Sequence, residues 1–308
     1  MSPTTAAPFW RGVWRIVDPK ITLASVASIA LGTGAAARGG AIDWTWWLIT
    51  FLGVFCIEGA KNASGEVVDF ASGTDQAVAP EDRSPFSGGK RVLVDGLLTR
   101  GQTIGLAVVL YGLGVAYGML IVARREPRVL GLGIAGIGLA FFYHAPPLKL
   151  SYRGLGELAV ALAYGPLIAG GTYLVQRHHL DVAILTPSIP LALLIAAFLW
   201  INEFPDFRAD SSAGKRNLVV RLGRPRAARV FAGIVIAAYV LLLLLPFFPG
   251  GPPLSAWLGL FGLPHGLAAA RRLLNAPENT AAIVPAQGWT LLSFLLMAAG
   301  AAVGLVLD

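Results

Sequence analysis

The 308-residue chain is 56% hydrophobic and only 13% charged, about half the charged fraction of an average soluble domain. A soluble protein of this length must cover its surface with more charge, so the composition indicates an integral membrane protein. The net charge of +7 does not indicate a nucleic-acid partner, because the basic residues are dispersed between apolar blocks. The single cysteine, Cys56, excludes an internal disulfide framework.

The first predicted element is a basic and aromatic segment, residues 1–19. Trp10, Arg11, Trp14 and Arg15 are residue types that favour the membrane interface. No small-residue cleavage site follows them, so we predict a segment on the cytoplasmic surface and not a cleaved signal peptide.

Nine apolar blocks follow this segment. A bilayer core about 30 Å thick requires roughly 20 apolar residues per spanning helix. We therefore predict an all-α, polytopic membrane protein with one transmembrane domain over residues 1–308. The predicted spans are 20–37, 44–61, 101–123, 128–144, 155–176, 181–202, 228–248, 253–273 and 287–307.

The basic residues support this count because they concentrate on alternate connections. With a cytoplasmic N-terminus, 19 of the 24 basic residues lie inside, as the positive-inside rule requires. The outside residues are Arg38, Arg124, Arg125, Arg128 and Arg177. This orientation places two long connections, residues 62–100 and 203–227, in the cytoplasm. We expect an inner or plasma membrane location in a prokaryotic cell, and the sequence leaves the oligomeric state open.

An acidic cluster follows the second span. Asn62, Glu66 and Asp69 have the spacing of one helical face if that span continues as a helix. Gly73 then breaks the helix and places Asp75 on a turn.

A second cluster follows the sixth span, where Asn202, Asp206 and Asp210 again form one helical stripe. Carboxylates stacked on one face repel each other unless a cation neutralises them. Oxygen ligands without a nearby His or Cys suit Mg²⁺, which commonly bridges protein carboxylates to substrate phosphates. The two stripes therefore predict a magnesium-dependent diphosphate site.

Basic side chains accompany the clusters and are candidates to bind the diphosphate, since Arg and Lys both bind phosphate oxygens. They are Arg83, Lys90, Arg91, Lys149, Arg153, Lys215 and Arg216. In contrast, Glu81, Asp82 and Asp95 have no helical register with either cluster, and we interpret them as solvated surface charges.

These motifs resemble those of the UbiA superfamily of intramembrane prenyltransferases. The segments 69–75 and 143–149 are similar to the branch that prenylates 1,4-dihydroxy-2-naphthoate in menaquinone synthesis. The segment 202–210, followed by residues 213–216 and 220–223, resembles the second motif of the superfamily. The similarity covers about residues 20–305.

The resemblance implies a nine-helix bundle around a central cavity that opens towards lipid. It implies that Asp69, Asp75, Asp206 and Asp210 hold a polyprenyl diphosphate through Mg²⁺, and that Asp69, Asp206 and Asp210 are catalytic. Asn62, Glu66 and Asn202 would assist in binding. Tyr143 and Tyr173 are candidates to stabilise the carbocation or orient an aromatic acceptor, with interface anchoring as the alternative.

One position departs from the family pattern. The first motif usually carries Asn-Asp where this chain has Gly65-Glu66. Asn62, one turn earlier, is a candidate to replace the missing amide. We interpret His144 as a structural histidine, with a role as an acid or base at the cavity mouth as the alternative.

Other functions remain open at this point. A glycerol-phosphate acceptor would give an ether lipid, and capture of the cation by the prenyl chain would give a cyclised terpene. A secondary transporter is the alternative from another class, but transporters place ionisable groups near the middle of spans. Here the acidic residues collect at span ends, which favours the enzyme. The sequence determines neither the acceptor nor the prenyl chain length.

Overall fold

The computed structural model describes the backbone of residues 3–308 and the side chains from residue 8 onward, so the first two residues of the predicted interfacial segment lie outside the described part. The described chain is all-helical. The α-helices are α1 Pro3–Val17, α2 Pro19–Arg38, α3 Trp44–Ser72, α4 Arg100–Arg124, α5 Val129–Phe142, α6 Gly156–Leu162, α7 Ile168–Arg177, α8 Val182–Ser212, α9 Leu218–Leu222, α10 Arg224–Leu244, α11 Leu263–Asn275 and α12 Thr280–Leu307.

Six helical segments in this part of the chain are long and apolar enough to cross a membrane, in agreement with an integral membrane protein. They are Pro8–Arg38, Arg100–Arg124, Gly156–Arg177, Val182–Ser212, Arg224–Phe247 and Thr280–Leu307. The other three predicted spans are also helical, but α5 and α11 are short, and α3 carries charged side chains in its C-terminal half. The number of nine spans stays a prediction.

Local capping explains where the helices beside the acidic clusters begin and end. The Asp43 carboxylate accepts hydrogen bonds from the first backbone N–H groups of α3. Gly73 ends that helix at φ +81°, a left-handed conformation that favours glycine. Thr99 and Gln102 form a capping box at the start of α4, and Asp181 caps α8.

The helices that carry the acidic residues extend beyond the predicted spans. α3 continues to Ser72 and α8 to Ser212, so residues 62–72 and 203–212 are helical and not loop. The connections that remain are 73–99, which contains a short 3₁₀ turn, and 213–217. The carboxylates are thus fixed on rigid helix ends.

The core lies around α8, which packs against α10 and α12. Leu194, Ile201 and Phe204 on α8 are fully buried and belong to one cluster with Phe231 of α10 and Phe294 of α12. Side chains of this size in a continuous cluster bury enough apolar area to hold the long helices in one fixed arrangement.

Four of the basic residues predicted to lie outside gather at the end of the bundle opposite the acidic clusters. Arg177 donates to the C-terminal carbonyl groups of α2, and Arg125 donates to Val175 O at the end of α7. Cations at helix C-termini satisfy free carbonyl groups and the helix dipole. Arg38 pairs with Asp308 at 2.5 Å, and Arg128 with Glu126 at 2.7 Å.

A π-helical turn, Ala163–Leu167, joins α6 to α7. Pro166 lies inside it and has no N–H to donate to the regular helix ladder. The turn leaves Tyr164 buried at 8% exposure, facing α2 and α3.

Candidate active site

The C-terminal ends of α3 and α8 and the 73–99 connection enclose a polar cavity of about 540 Å³. Most of the predicted site residues line it: Asn62, Glu66, Asp69, Asp75, Arg83, Lys90, Arg91, Tyr143, Asn202, Asp206, Asp210 and Lys215. The structure therefore brings the two acidic clusters, distant in sequence, into one site.

Asp69 and Asp75 form the first wall of the cavity. Tyr152 Oη donates to Asp69 Oδ1 at 2.8 Å. Asp75 is 3% exposed and its Oδ2 has no hydrogen-bond partner among the described residues. Burial, together with the negative charges of Asp69 and Glu66, raises the pKa of Asp75 to about 8. A cation at this position would hold Asp75 in its ionised form.

Asp206 and Asp210 form the facing wall. Asp206 Oδ1 accepts a hydrogen bond from the backbone N–H of Gly88 at 2.7 Å. Asp210 accepts one from Asn217 Nδ2 at 2.8 Å, and its other oxygen lies 3.3 Å from Lys215 Nζ.

A glycine pair in the 73–99 connection lies between the two walls. Gly88 and Gly89 have φ of +92° and +70°, and a Cβ on Gly89 would lie 2.1 Å from Asp75 Oδ1. Only glycine permits both this conformation and this approach. The loop thereby contacts Asp75 with one residue and Asp206 with the other.

Lys215 links the two clusters electrostatically. Burial alone would lower the pKa of Lys215, but the carboxylates of Asp210, Asp69 and Asp206 outweigh it and hold the pKa well above its ordinary value. The ammonium also lies 5.8 Å from the ring centroid of Tyr152. A permanent positive charge between acidic walls is suited to a diphosphate that arrives with a divalent metal.

Three residues predicted to assist binding line the cavity but also bond to the scaffold. Asn62 Nδ2 donates to Ile16 O at 3.1 Å and so holds α1. Asn202 Oδ1 accepts from Gln287 Nε2 at 3.0 Å. Glu66 Oε1 accepts from the backbone N–H of Leu93 at 2.8 Å. These bonds argue against Asn62 as the substitute for the missing amide of the first motif.

His144 occupies the space beside Gly65. A Cβ on Gly65 would lie 2.7 Å from two atoms of the His144 ring, and His144 Nδ1 lies 3.7 Å from Asp69 Oδ2. His144 therefore lines the cavity and fills the space that a side chain at position 65 would occupy.

The remaining basic residues differ in position. Lys90 pairs with Asp18 at 2.7 Å, and Arg91 Nη1 donates to Asp75 O at 2.8 Å. Arg83 lines the cavity mouth. Lys149 lies outside the cavity wall, 5.1 Å from the ring centroid of Tyr152.

Three further predicted residues, like Lys149, do not reach the cavity. Arg153 is exposed and donates to Pro147 O, and the exposed Arg216 contributes its backbone N–H to Tyr152 O. Tyr173 lies near the other end of the bundle, where its hydroxyl is 3.3 Å from His179 Nε2.

Asp82 also differs from its prediction as a solvated charge. It is 4% exposed and pairs with Arg208 Nε at 2.9 Å, while Thr280 Oγ1 donates to it at 3.0 Å. Asp82 therefore ties the 73–99 connection to α8 and α12. Asp95, in contrast, forms the predicted kind of surface contact, with Arg15.

A second cavity of about 340 Å³ adjoins the first and is almost entirely apolar. It lies between α3, α4, α5 and the α6–α7 segment, and Lys61 and Tyr143 line both cavities. Sequence reasoning missed Lys61, Tyr152 and Tyr164, because their roles depend on contacts between distant segments.

The donors fit a magnesium ion that is shared with substrate. The cavity offers carboxylate oxygens, the ligands that Mg²⁺ prefers. Among the described residues, Asp75 Oδ2, Glu203 Oε2 and Asp210 Oδ1 are buried without a hydrogen-bond partner. Among the described residues, no three acidic, histidine or cysteine side chains converge closely enough to hold a metal ion alone. Asp69, Asp75, Asp206 and Asp210 would therefore hold Mg²⁺ together with water and diphosphate oxygens.

Known proteins are similar to this chain in sequence. The model of the UbiA prenyltransferase family matches residues 25–291. UbiA prenyltransferase domain-containing protein 1 of Dictyostelium discoideum is 30% identical over 225 residues, 71% of this chain and 66% of that protein, just under two thirds of its length. The 1,4-dihydroxy-2-naphthoate octaprenyltransferase of Mycobacterium tuberculosis is 28% identical over 254 residues, 82% of each protein.

Solved structures share the fold. A UbiA homolog from Archaeoglobus fulgidus, bound to GPP and Mg²⁺, aligns with a TM-score of 0.63 at 14% identity, over 96% of this chain and 100% of that chain. A digeranylgeranylglyceryl phosphate synthase aligns with a TM-score of 0.58 at 15% identity, over 97% of this chain and 99% of that chain. At these identities the likeness concerns the fold.

Proposed function

Because the chain belongs to the UbiA prenyltransferase family, we propose that it transfers a prenyl group from a prenyl diphosphate to a hydroxylated aromatic acceptor. We propose Mg²⁺ as its metal and an acceptor of the 1,4-dihydroxy-2-naphthoate type, as used in quinone biosynthesis. The relatives from Mycobacterium tuberculosis and Bacillus subtilis carry that acceptor in their names.

The observation that carries this proposal is the pair of facing acidic walls at the mouth of an apolar cavity. The polar cavity suits a diphosphate, and the adjoining apolar cavity suits a prenyl chain. The carboxylates lie at helix ends beside basic side chains. This arrangement favours phosphate chemistry over ion transport, for which ionisable groups line the middle of broken helices.

When bound, Mg²⁺ would neutralise charge on the leaving diphosphate as the allylic C–O bond breaks. Asp69 and Asp75 would hold the diphosphate from one wall, and Asp206 and Asp210 from the other. Lys215 would stabilise the negative charge that develops on the leaving group. Tyr143, which lines both cavities, would face the carbocation with its ring. The apolar helices around the prenyl chain would exclude water from the cation.

The membrane orientation is part of the proposal. The basic residues around the acidic cavity would place it at the cytoplasmic face, where a water-soluble aromatic acceptor and a membrane-embedded prenyl diphosphate could meet. Lys149, Arg153 and Arg216 would then contribute to the positive charge of that face without lining the cavity.

Turnover by the purified protein in detergent tests the proposal. Geranylgeranyl diphosphate and Mg²⁺ are supplied with 1,4-dihydroxy-2-naphthoate, with geranylgeranylglyceryl phosphate, or alone, and products are identified by mass. We expect diphosphate release and a prenylated aromatic product only with the naphthoate. An ether lipid, or a cyclised hydrocarbon without acceptor, would instead identify one of the alternative reactions. Absence of diphosphate release under all three conditions would refute the proposed function.

A further inference from the structure

A carboxylate lies inside the apolar cavity, away from the acidic walls. Glu58 is 5% exposed and lines this cavity. Tyr164 Oη donates to Glu58 Oε1 at 2.5 Å, and Ser25 Oγ donates to Oε2 at 2.9 Å. A carboxylate has about four lone-pair sites, so two of them remain for a ligand. Burial of a charge among apolar side chains costs free energy, which suggests a function.

The backbone beside Glu58 is also unusual. Tyr164 belongs to the π-helical turn Ala163–Leu167, a rare form that occurs frequently at functional sites. An uninterrupted α-helix would present a different face at residue 164. The turn therefore directs the hydroxyl of Tyr164 towards Glu58. It is a second observation, separate from the burial of the Glu58 carboxylate, that points to this place.

Lys61 adds a positive charge on the side towards the acidic cavity. It lies three residues after Glu58, so the two side chains are neighbours on α3. Its ammonium lies 5.4 Å from the ring centroid of Tyr143, and it lines both cavities. A ligand that enters from the diphosphate site would meet the ammonium first and the carboxylate next.

The spacing along α3 suits an acceptor between these groups and the diphosphate. Glu58, Gly65 and Asp69 share one helical face, and Glu58 and Asp69 are about 16 Å apart along the helix axis. That distance accommodates the diphosphate, the allylic carbon attached to it, and a fused aromatic ring, while the rest of the prenyl chain would occupy the part of the apolar cavity that α4 and α5 line.

We propose that Glu58, Tyr164 and Lys61 form the acceptor subsite, and that it takes a hydroxylated aromatic acid. The ring hydroxyl would bond to Glu58 and Tyr164, and the ring carboxylate would pair with Lys61. This proposal rests on the proposed prenyl transfer and adds the residues that select its acceptor.

In this subsite Glu58 is the proton acceptor. It takes the hydroxyl proton while the ring carbon bonds to the allylic carbon, whose C–O bond breaks with its electron pair leaving on the diphosphate. The substituent on the alkylated ring carbon then departs, either as a proton that the released diphosphate accepts or as carbon dioxide, and its bonding electrons restore the aromatic ring. Glu58 returns its proton to the ring oxygen, so charge and atoms balance.

Equilibrium binding to the metal-free protein tests the subsite without catalysis. The probes are 1-hydroxy-2-naphthoate and 1-naphthol, which lacks the carboxylate, measured by calorimetry in detergent. We expect Glu58→Gln and Tyr164→Phe to weaken binding of the acid by about tenfold. Lys61→Met should abolish the preference for the acid over 1-naphthol.

The matched control is Tyr239→Phe. Tyr239 is also buried, and its hydroxyl lies 2.7 Å from Ser293 Oγ, outside both cavities, so its loss should leave binding unchanged. Tyr164→Phe removes only the hydroxyl oxygen that donates to Glu58. If Glu58→Gln does not fold, the subsite is tested with Tyr164→Phe alone.

Separate outcomes overturn the two proposals. If the wild type binds no 1-hydroxy-2-naphthoate, or if Glu58→Gln and Tyr164→Phe bind it as the wild type does, the subsite is refuted. If the wild type still turns over geranylgeranyl diphosphate, the proposed prenyl transfer remains valid although the acceptor subsite is refuted. If the wild type releases no diphosphate with any acceptor, the proposed function fails instead.

Discussion

Substitutions at Gly65 and His144 should have coupled effects on stability, because the His144 ring fills the space beside Gly65. In Gly65→Ala the new Cβ would lie 2.7 Å from His144 Cδ2 and Nε2. The ring has little room to move, since it packs at 4.7 Å against the Tyr143 ring and lies beside Asp69. Overpacking of this kind costs about 1–3 kcal/mol.

The sign of the effect should reverse once the ring is removed. In a His144→Ala background the three atoms that would lie nearest to the new Cβ are removed, and alanine stabilises a helix interior by up to about 1 kcal/mol relative to glycine. The gain in helix propensity is common to both backgrounds, so the expected coupling is the overpacking cost of about 1–3 kcal/mol. It corresponds to a shift of several degrees, since about 1 kcal/mol moves the thermal midpoint by roughly 2–4 °C in larger domains.

Thermal unfolding of four proteins in one detergent measures this coupling: wild type, Gly65→Ala, His144→Ala and the double variant. We expect the glycine substitution to lower the midpoint in the wild type and to leave it unchanged or raise it in His144→Ala. Equal shifts in both backgrounds would show that the ring does not occupy the first-motif position.

Further predictions concern the charges of the polar cavity. Lys215→Met should lower kcat by about 10² through loss of a group that stabilises the leaving diphosphate, while Arg216→Met, next in the chain but outside the cavity, should stay near wild type in the same steady-state assay. Because the pKa of Asp75 rises from 3.8 to about 8 on folding, the folded protein binds a proton that the unfolded chain releases, and Asp75 makes stability fall as pH rises between those values. In EDTA, the thermal midpoint of Asp75→Asn should therefore fall less than that of the wild type as the pH rises over this range. An equal dependence of the midpoint on pH in both proteins would contradict the raised pKa of Asp75.

The sequence predicted the carboxylate stripes well because helical register is a local property. Asp69 and Asp206 follow from the spacing on their own helices, and glycine at position 73 marks the end of the first stripe. The approach of the two stripes is not local. It depends on a loop whose Gly88 bonds to Asp206 from 118 positions away, and no short pattern encodes that contact.

The differences between the predicted and the observed contacts have the same physical origin. Asn62 matches the stripe, yet its amide bonds to Ile16 in a preceding helix. Tyr173 resembles a family position, but it lies about 24 Å from Glu157 along α6 and α7. That length alone places it near the opposite end of the bundle, so helix arithmetic could have excluded it.

No local pattern of the sequence marks Glu58. It lies three residues before the end of the predicted span 44–61, whereas α3 continues to Ser72. The carboxylate is therefore at mid-helix, and its partners Ser25 and Tyr164 come from two other segments.

The central claim is that both acidic walls hold the diphosphate through a metal. Its most direct test is the binding of a prenyl diphosphate analogue whose bond to the allylic carbon does not break readily. Geranylgeranyl thiodiphosphate is titrated into the wild type, Asp69→Asn and Asp206→Asn, each with Mg²⁺ and with EDTA. We expect tight binding only by the wild type in Mg²⁺, with a loss of about 10² in affinity for either variant. Equal binding in EDTA, or wild-type affinity in either variant, would contradict a metal-bridged site between the two walls.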